Sequence, residues 1–220
     1  MRPDLHPQRL LAAYAVGLFP MADDSGELHW LAPDPRCVIE LDTFKPSRSL
    51  RAICRRGEFE ITVDRSFADV IDACASRPEG TWISSEIREA YVELHRLGFA
   101  HSVESWRGET LAGGLYGVSL GGAFFGESMF HRVTNASKVA LVALIERMRE
   151  RGLDLLDVQF LTDHLRQFGA IEIPRSVYEQ RLLAAVKRAC SFTKPPNADT
   201  KVSGENDRES QTAADGVDDE

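Results

Sequence analysis

Two acidic residues stand in apolar sequence on either side of one amphipathic segment, and this arrangement most constrains the fold. Glu127 directly follows Phe124-Phe125-Gly126, and Asp157 lies within Leu155-Leu156-Asp157-Val158. Between them, residues 136–150 carry apolar side chains at helical spacing. Enclosing a carboxylate among apolar groups costs several kcal/mol unless it is paired. The pattern therefore predicts two strands that flank a helix, each strand carrying a carboxylate with a partner or a chemical task.

The remaining patterns predict a mixed α/β (α+β) domain. Three strands in quick succession, joined by turn signals, predict an antiparallel meander at 100–106, 111–118 and 123–130. Asn135 is expected to cap the following helix, Gly152 to end it, and residues 153–160 to form the next strand. Further helices are expected at 5–16, after Ser47, and at 67–75, 84–97 and 163–168, and further strands at 37–41, 59–63 and 171–174. The prolines in residues 30–36 predict a turn.

Length and charge predict one main core with two appendages. At 220 residues and 43% apolar content, the chain can bury one well-packed core. We expect a small N-terminal domain at 1–35, the main domain at 36–190 and an acidic tail at 191–220. Residues 194–220 hold three basic and eight acidic residues, a net charge of −5 out of −8. Their composition is typical of disordered segments.

The sequence also bears on compartment and metal binding. It contains no apolar run of the length that spans a membrane, and residues 1–14 lack the apolar stretch of a signal peptide. A cytoplasmic protein that does not insert into membranes is therefore expected. The four scattered cysteines have no zinc-ligand spacing, so reduced thiols and no metal site are expected.

A basic cluster offers a candidate contact for nucleic acid despite the negative total charge. The spacing puts several of its members on one side of a short helix after Pro46-Ser47. Its members are Lys45, Arg48, Arg51, Arg55 and Arg56. Such a cluster can bind phosphates, but the same pattern is equally typical of a solvated face whose charges pair with neighbouring acids.

The order meander, helix, strand is also that of the acetyltransferase-like (GNAT) fold. Acetyltransferases of that fold hold the coenzyme A pyrophosphate on backbone N–H groups of a glycine-containing loop at the start of the helix. Residues 131–137 contain no glycine at this place. Because a close approach of pyrophosphate to the backbone is then harder, the sequence favours another acyl donor.

Longer motifs in the sequence point to one family of acyltransferases. They are ordered and spaced as in the leucyl/phenylalanyl-tRNA-protein transferase family, which the chain closely resembles over about residues 5–180. The motifs are Leu10-Leu11-Ala12-Ala13-Tyr14, Gly17-Leu18-Phe19-Pro20, Ser47-Arg48-Ser49-Leu50-Arg51, Gly80-Thr81-Trp82-Ile83, Ala100-His101-Ser102-Val103-Glu104, Gly126-Glu127-Ser128-Met129-Phe130, Asp157-Val158-Gln159 and Ile173-Pro174-Arg175.

The resemblance implies a reaction and assigns roles to three residues. Members of the family move Leu or Phe from aminoacyl-tRNA to the α-amino group of proteins that begin with Arg or Lys, which marks those proteins for degradation. By this resemblance Asp157 helps to deprotonate the amine, Gln159 hydrogen-bonds the reacting groups, and Glu127 lies near the acceptor amine. It implies no metal and no cofactor, and a monomer is expected.

The same resemblance implies an apolar pocket for the transferred side chain and the terminal adenosine. Its implied members are Trp82, Leu115, Phe124, Met129, Leu156 and Met21. Trp82 is the candidate to stack on the adenosine. Two details depart from the family pattern. Met21 stands where many members have Trp. The family motif Trp-Trp followed by Ser-Pro-Asp-Pro-Arg appears here as Trp30-Leu31-Ala32-Pro33-Asp34-Pro35-Arg36.

Each of these assignments has a structural alternative. Asp157 could pair with an arginine or a backbone N–H, Glu127 with Arg132 or the backbone, and Gln159 could satisfy a strand end. The pocket residues could be ordinary core. For the whole chain, a coenzyme A-dependent acetyltransferase and a non-catalytic RNA-binding module are the rival classes.

Overall fold

The computed structural model describes residues 5–23, 25–76 and 81–193. The helices among them are α1 (Pro7–Ala15), α2 (Arg48–Arg56), α3 (Phe67–Ala75), α4 (Ser85–Arg96), α5 (Ala136–Arg151), α6 (Asp163–Arg166) and α7 (Arg175–Val186). The strands are β1 (Phe19–Ala22), β2 (Leu28–Leu31), β3 (Arg36–Ile39), β4 (Glu60–Val63), β5 (Ala100–Arg107), β6 (Thr110–Leu120), β7 (Ala123–His131), β8 (Leu155–Gln159) and β9 (Ala170–Ile173). The predicted acidic tail beyond residue 193 lies outside the described residues.

Seven strands form one sheet in the order β4-β5-β6-β7-β8-β3-β9. Neighbouring strands are antiparallel except β7 and β8, which run parallel because α5 carries the chain across between them. The expectation of a mixed, largely antiparallel sheet after a small N-terminal segment is confirmed. The predicted meander is β5-β6-β7, and Glu127 and Asp157 lie on the two strands that flank α5.

The parallel pair β7-β8 is short, and this opens the sheet. Its pairs run from Ala123 with Leu155 to Phe125 with Asp157. Residues 126–131 of β7 continue beyond the paired segment, so the strands separate at one end. Apolar side chains cover both faces of the sheet. One cluster joins α1, α3, α4 and α7 to one face, and the other joins α2 and α5 to the opposite face.

Three local expectations from the sequence were wrong. Trp30 and Leu31 belong to β2, which pairs with β1, because the turn begins only after them. Asn135 occupies the N-cap position of α5, but its side chain makes no capping bond. Its backbone has φ 70° instead, a left-handed conformation that asparagine tolerates. The helix α7 was not anticipated.

Two further observations concern the thiols and the helices. The four cysteines are free thiols, as expected. Among residues 5–23, 25–76 and 81–193, no helix is both long and apolar enough to cross a bilayer.

Candidate active site

A cavity of about 450 Å³ opens where β7 and β8 separate. Its walls come from the second half of β7, from α5, and from β8 with the loop after it. One end is apolar and the other carries a carboxyl and an amide. The lining residues include Trp82, Glu127, Ser128, Met129, His131, Leu141, Leu144, Leu156, Val158, Gln159, Phe160 and His164.

Glu127 lines this cavity and is the site of a bulge in β7. Tyr116 of β6 is opposite Ser128 and Gly117 is opposite Gly126, so Glu127 is the extra residue of the bulge. Gly117 permits the bulge, since a Cβ there would lie 2.1 Å from the carbonyl oxygen of Phe125. Glu127 therefore has no residue opposite it in the β6-β7 ladder.

Two tyrosine hydroxyls contact the Glu127 carboxyl. The Tyr14 hydroxyl donates to Oε1 at 2.7 Å, and the Tyr91 hydroxyl reaches Oε2 at 3.4 Å. Burial raises the pKa of Glu127 to about 8, and the nearby Asp157 carboxylate adds to the increase. Both tyrosines and Arg36 oppose it. A carboxyl with such a pKa can exchange protons near neutral pH.

Asp157 is fully buried and its carboxylate is saturated with donors. Arg36 Nε donates to Oδ1 at 2.9 Å and Arg36 Nη2 to Oδ2 at 2.7 Å. The Tyr178 hydroxyl donates to Oδ2 at 2.6 Å, and the backbone N–H of Gln159 donates to Oδ1 at 2.9 Å. The neighbours Leu156 and Val158 line the cavity, whereas Asp157 points to the other face of β8. It is a paired structural acid in this state.

Gln159 faces the cavity from the end of β8 with an unused donor. It is 6% exposed, and its backbone has φ 57°, a left-handed conformation pinned by the bond to Asp157. Within the described residues its side-chain Nε2 has no hydrogen-bond partner. Leaving a buried amide N–H unpaired costs about 1–3 kcal/mol, so this donor could bind a group that enters the cavity.

Comparison with known proteins places these residues in a family. The family model for leucyl/phenylalanyl-tRNA protein transferase matches residues 38–183, and the model of its N-terminal domain matches residues 3–34. Together these matches extend over most of the chain. The chain belongs to the leucyl/phenylalanyl-tRNA protein transferase family.

Individual members of the family are similar in sequence to this chain over most of their length. The leucyl/phenylalanyl-tRNA–protein transferase of Salinibacter ruber is 54% identical over 187 residues, which is 84% of this chain and 82% of that protein. The Gloeobacter violaceus protein of the same name is 54% identical over 189 residues, or 86% and 97%. A solved structure, that of L-PGS from Bacillus licheniformis, aligns with a TM-score of 0.39 at 17% identity over 73% of this chain and 55% of that one.

The structure brings three of the six predicted pocket residues to the main cavity and a fourth, Met21, to an adjoining one. Trp82, Met129 and Leu156 line the main cavity. Met21 and Trp82 also line a small adjoining cavity of about 70 Å³ that Glu127 and Gln159 share. Leu115 and Phe124 are not brought to the main cavity, because they are buried in the core on the α5 face. Leu141 and Leu144 of α5 supply the apolar wall in their place.

The sequence interpretation missed four residues around the carboxylates. Tyr14 and Arg36 stood at the ends of recognised motifs, so the motifs held a signal for both. Tyr91 lay within the predicted helix at 84–97, whereas Tyr178 lies in α7, which the sequence interpretation did not anticipate. Arg36 is 1% exposed, and besides Asp157 it donates from Nη1 to the Gly17 carbonyl oxygen at 3.0 Å. Its guanidinium also lies over the rings of Phe19 and Tyr178.

The predicted basic cluster is a solvent-exposed stripe away from the cavity walls. Arg48, Arg51 and Arg55 recur at one side of α2 and are exposed, as is Lys45 before the helix. Arg56 pairs with Glu58 at 2.6 Å. In the described part of the chain, none of the other four residues takes part in a salt bridge that would neutralise it.

One group of side chains has the spacing of metal ligands, but it lies outside the cavity. Asp23, Glu27 and His29 in the β1-β2 hairpin bring their ligand atoms within 4.8 Å of one another. All three are exposed, and His29 already bonds to Asp23 at 2.9 Å. Exposed acidic groups of this kind are common without an ion.

Proposed function

We propose that this chain transfers leucine or phenylalanine from aminoacyl-tRNA to the α-amino group of a protein whose first residue is Arg or Lys. One observation carries the proposal: a carboxyl whose pKa burial raises to about 8 and an amide donor without a partner in the described structure line the same cavity, beside apolar side chains. Membership of the family supplies the substrate classes.

The chemistry is the aminolysis of an ester. The amine nitrogen bonds to the carbonyl carbon, and the bond from that carbon to the ribose 3′-oxygen breaks. One amine proton must leave and the 3′-oxygen must gain one. Glu127 is the group placed to take the first proton, since it faces the cavity and titrates near 8. The protonated carboxyl then returns it to the leaving oxygen.

Gln159 is the group placed to stabilise the negative charge that develops on the carbonyl oxygen. Its Nε2 donor is already desolvated and unpaired in the described structure, so it need not reorganise during the reaction. Donors of this kind contribute about 10²–10³ in rate.

Asp157 acts on this reaction through its neighbours. All of its contacts hold other groups in place, among them the backbone of Gln159. The family resemblance implied that Asp157 is the direct base. We propose instead that Asp157 is a positioning residue. It fixes the left-handed turn that turns the Gln159 amide toward the cavity.

The apolar end of the cavity suits the transferred side chain. Met129, Leu141, Leu144 and Leu156 present no hydrogen-bonding groups, so they select by size and shape, which admits both a branched and a flat group. Trp82 and Met21, at the adjoining cavity, are placed to hold the terminal adenosine by stacking and dispersion. The exposed stripe on α2 is then the contact for tRNA phosphates.

Several finer points complete what we propose; the degradation signal rests on the family, and the domain limits and the location rest on the sequence patterns. Acceptors with an N-terminal Arg or Lys become substrates for degradation after transfer. The domain limits 1–35 and 36–190, the monomeric state, the cytoplasmic location and a reaction without a cofactor are likewise proposed.

A transfer assay tests the proposed function directly. Purified chain is mixed with radiolabelled leucyl-tRNA and with peptides that differ only in an N-terminal Arg, Lys, Asp or Ala. Label is expected on the Arg and Lys peptides alone. Label on the Asp peptide would keep the reaction but overturn the acceptor specificity. No label on any peptide, together with micromolar binding of acetyl-coenzyme A in calorimetry, would indicate the acetyltransferase class instead.

A further inference from the structure

We propose that Tyr14 and Tyr91 are positioning residues that hold and orient the Glu127 carboxylate for proton transfer, and that helix α1 is therefore part of the catalytic apparatus. This inference rests on the proposed function. It extends the site to two buried phenols that contact Glu127 but do not themselves line either cavity.

The contacts form one chain of hydrogen bonds that ends on Glu127. Tyr14 donates to Oε1 at 2.7 Å, and Tyr14 and Tyr91 share a short hydrogen bond between their hydroxyls. A phenol has one proton, so a Tyr14 that donates to Glu127 must accept from Tyr91. The Tyr91 proton then points mainly to the Tyr14 oxygen. The contact of the Tyr91 hydroxyl with Oε2 at 3.4 Å is the weaker branch of a bifurcated hydrogen bond.

Three separate elements converge to build this chain. Tyr14 comes from α1, Tyr91 from α4 and Glu127 from the bulge in β7. Both tyrosines are fully buried, and Tyr91 packs edge-on against Tyr116 of β6 with ring centroids 5.8 Å apart. Because burying an unpaired hydroxyl costs about 1–3 kcal/mol, phenylalanine would serve the packing alone equally well. The two hydroxyls are explained by the carboxylate they bind.

The charged form of Glu127 depends on this chain. Burial disfavours the carboxylate, and Asp157 on β8 disfavours it further. Opposing them are Arg36 on β3 and the two phenols. Burial also raises the pKa of both tyrosines well above the ordinary value, so each keeps its proton and remains a donor. Loss of a donor must therefore raise the pKa of Glu127.

The pH profile of transfer should report this change. The reactive form is the carboxylate, so the rate rises with pH up to the pKa of Glu127 and then levels off. Tyr14→Phe should move the midpoint about one unit higher, which is about a tenfold loss of rate at pH 7 that is recovered above pH 9. Tyr91→Phe should move it in the same direction by less, because its contact is longer.

The experiment measures initial rates of leucine transfer to one Arg peptide between pH 6 and 9.5. Since every enzyme uses the same peptide, titration of the peptide amine contributes equally to all profiles. Tyr178→Phe is the matched control, because it removes a buried hydroxyl that bonds to Asp157 rather than Glu127. Its midpoint should equal that of the unaltered chain. Coincident midpoints for Tyr14→Phe and Tyr178→Phe would overturn the inference.

Infrared difference spectra provide a readout that needs no transfer. Few carboxyls other than Glu127 titrate between pH 7 and 9, and Glu127→Gln identifies its band by removing it. The titration of the band should move to higher pH in Tyr14→Phe and, less, in Tyr91→Phe. An unmoved band in both would overturn the role of the tyrosines whatever the transfer rates. A moved band in a chain that transfers no leucine would support that role and overturn the proposed function instead.

Discussion

At the scale of single residues, two carboxyls in adjacent strands differ because of their neighbours. Asp157 is bonded by Arg36, Tyr178 and a backbone N–H, which compensate its burial. Within the described residues, Glu127 accepts hydrogen bonds from two neutral phenols, and burial raises its pKa to about 8. In our proposal the first carboxyl therefore holds its neighbours in place, and the second exchanges a proton.

Substituting Asp157→Asn should destabilise the fold strongly. It leaves the 1% exposed Arg36 as a buried charge without its counter-ion, and breaking a buried pair in this way costs about 3–5 kcal/mol. Urea unfolding measures the change in the free energy of unfolding. The matched control is Asp154→Asn, whose pair with Arg188 is 48% exposed on both sides and should contribute below about 1 kcal/mol. Equal losses for the two variants would contradict the structural role of Asp157.

At the scale of elements, a short parallel pair and one bulge create the site. The pairing of β7 with β8 ends at Phe125 and Asp157, and the bulge follows two residues later in β7. Beyond Phe125, β7 leaves the ladder with β8, and the cavity lies beside this unpaired part of the strand. The glycine at 117 is the sequence requirement of this arrangement.

Gly117→Ala should therefore destabilise the sheet and abolish transfer. Its Cβ would meet the Phe125 carbonyl oxygen at 2.1 Å and the Phe124 ring at 2.5 Å, both inside a packed core. Such overpacking costs about 1–3 kcal/mol or more. Gly126→Ala provides the comparison in the same urea experiment, since its nearest neighbour would be at 3.7 Å. A Gly117→Ala chain as stable as Gly126→Ala would show that the bulge does not need glycine.

At the scale of the whole molecule, charge is divided among separate regions. The net charge is −8, yet residues 194–220 carry −5 of it and α2 presents an exposed basic stripe. A chain with this distribution can bind a polyanion at one place despite its total charge.

Reversing two charges of the stripe, Arg48→Glu with Arg51→Glu, should weaken leucyl-tRNA binding and flatten its dependence on salt. Each lost phosphate contact lowers the slope of log affinity against log salt by about one, so a decrease of about two is expected. The measurement is a binding titration at several salt concentrations. Arg96→Glu, at a 73% exposed arginine on α4, is the control for a general charge effect. A slope like that of the unaltered chain would remove α2 from the tRNA contact.

The amino-acid sequence by itself determined the order of the elements from β3 to β9 and the two acidic strands. Helical periodicity marked α5, glycines marked its end and the hairpins, and the motifs marked Glu127, Asp157 and Gln159. These signals are local, because each depends on residues within one or two turns or strands.

Only the tertiary structure decided which groups surround each carboxyl. The partners lie far along the chain, with Tyr14 113 residues from Glu127 and Arg36 121 residues from Asp157. Periodicity shows which face of a strand or helix is apolar, but it does not show which distant element packs there. For the same reason Leu115 and Phe124 were assigned to the pocket, while Leu141 and Leu144 line it. Burial and partners shift the pKa of Glu127, and both are set by packing between distant segments.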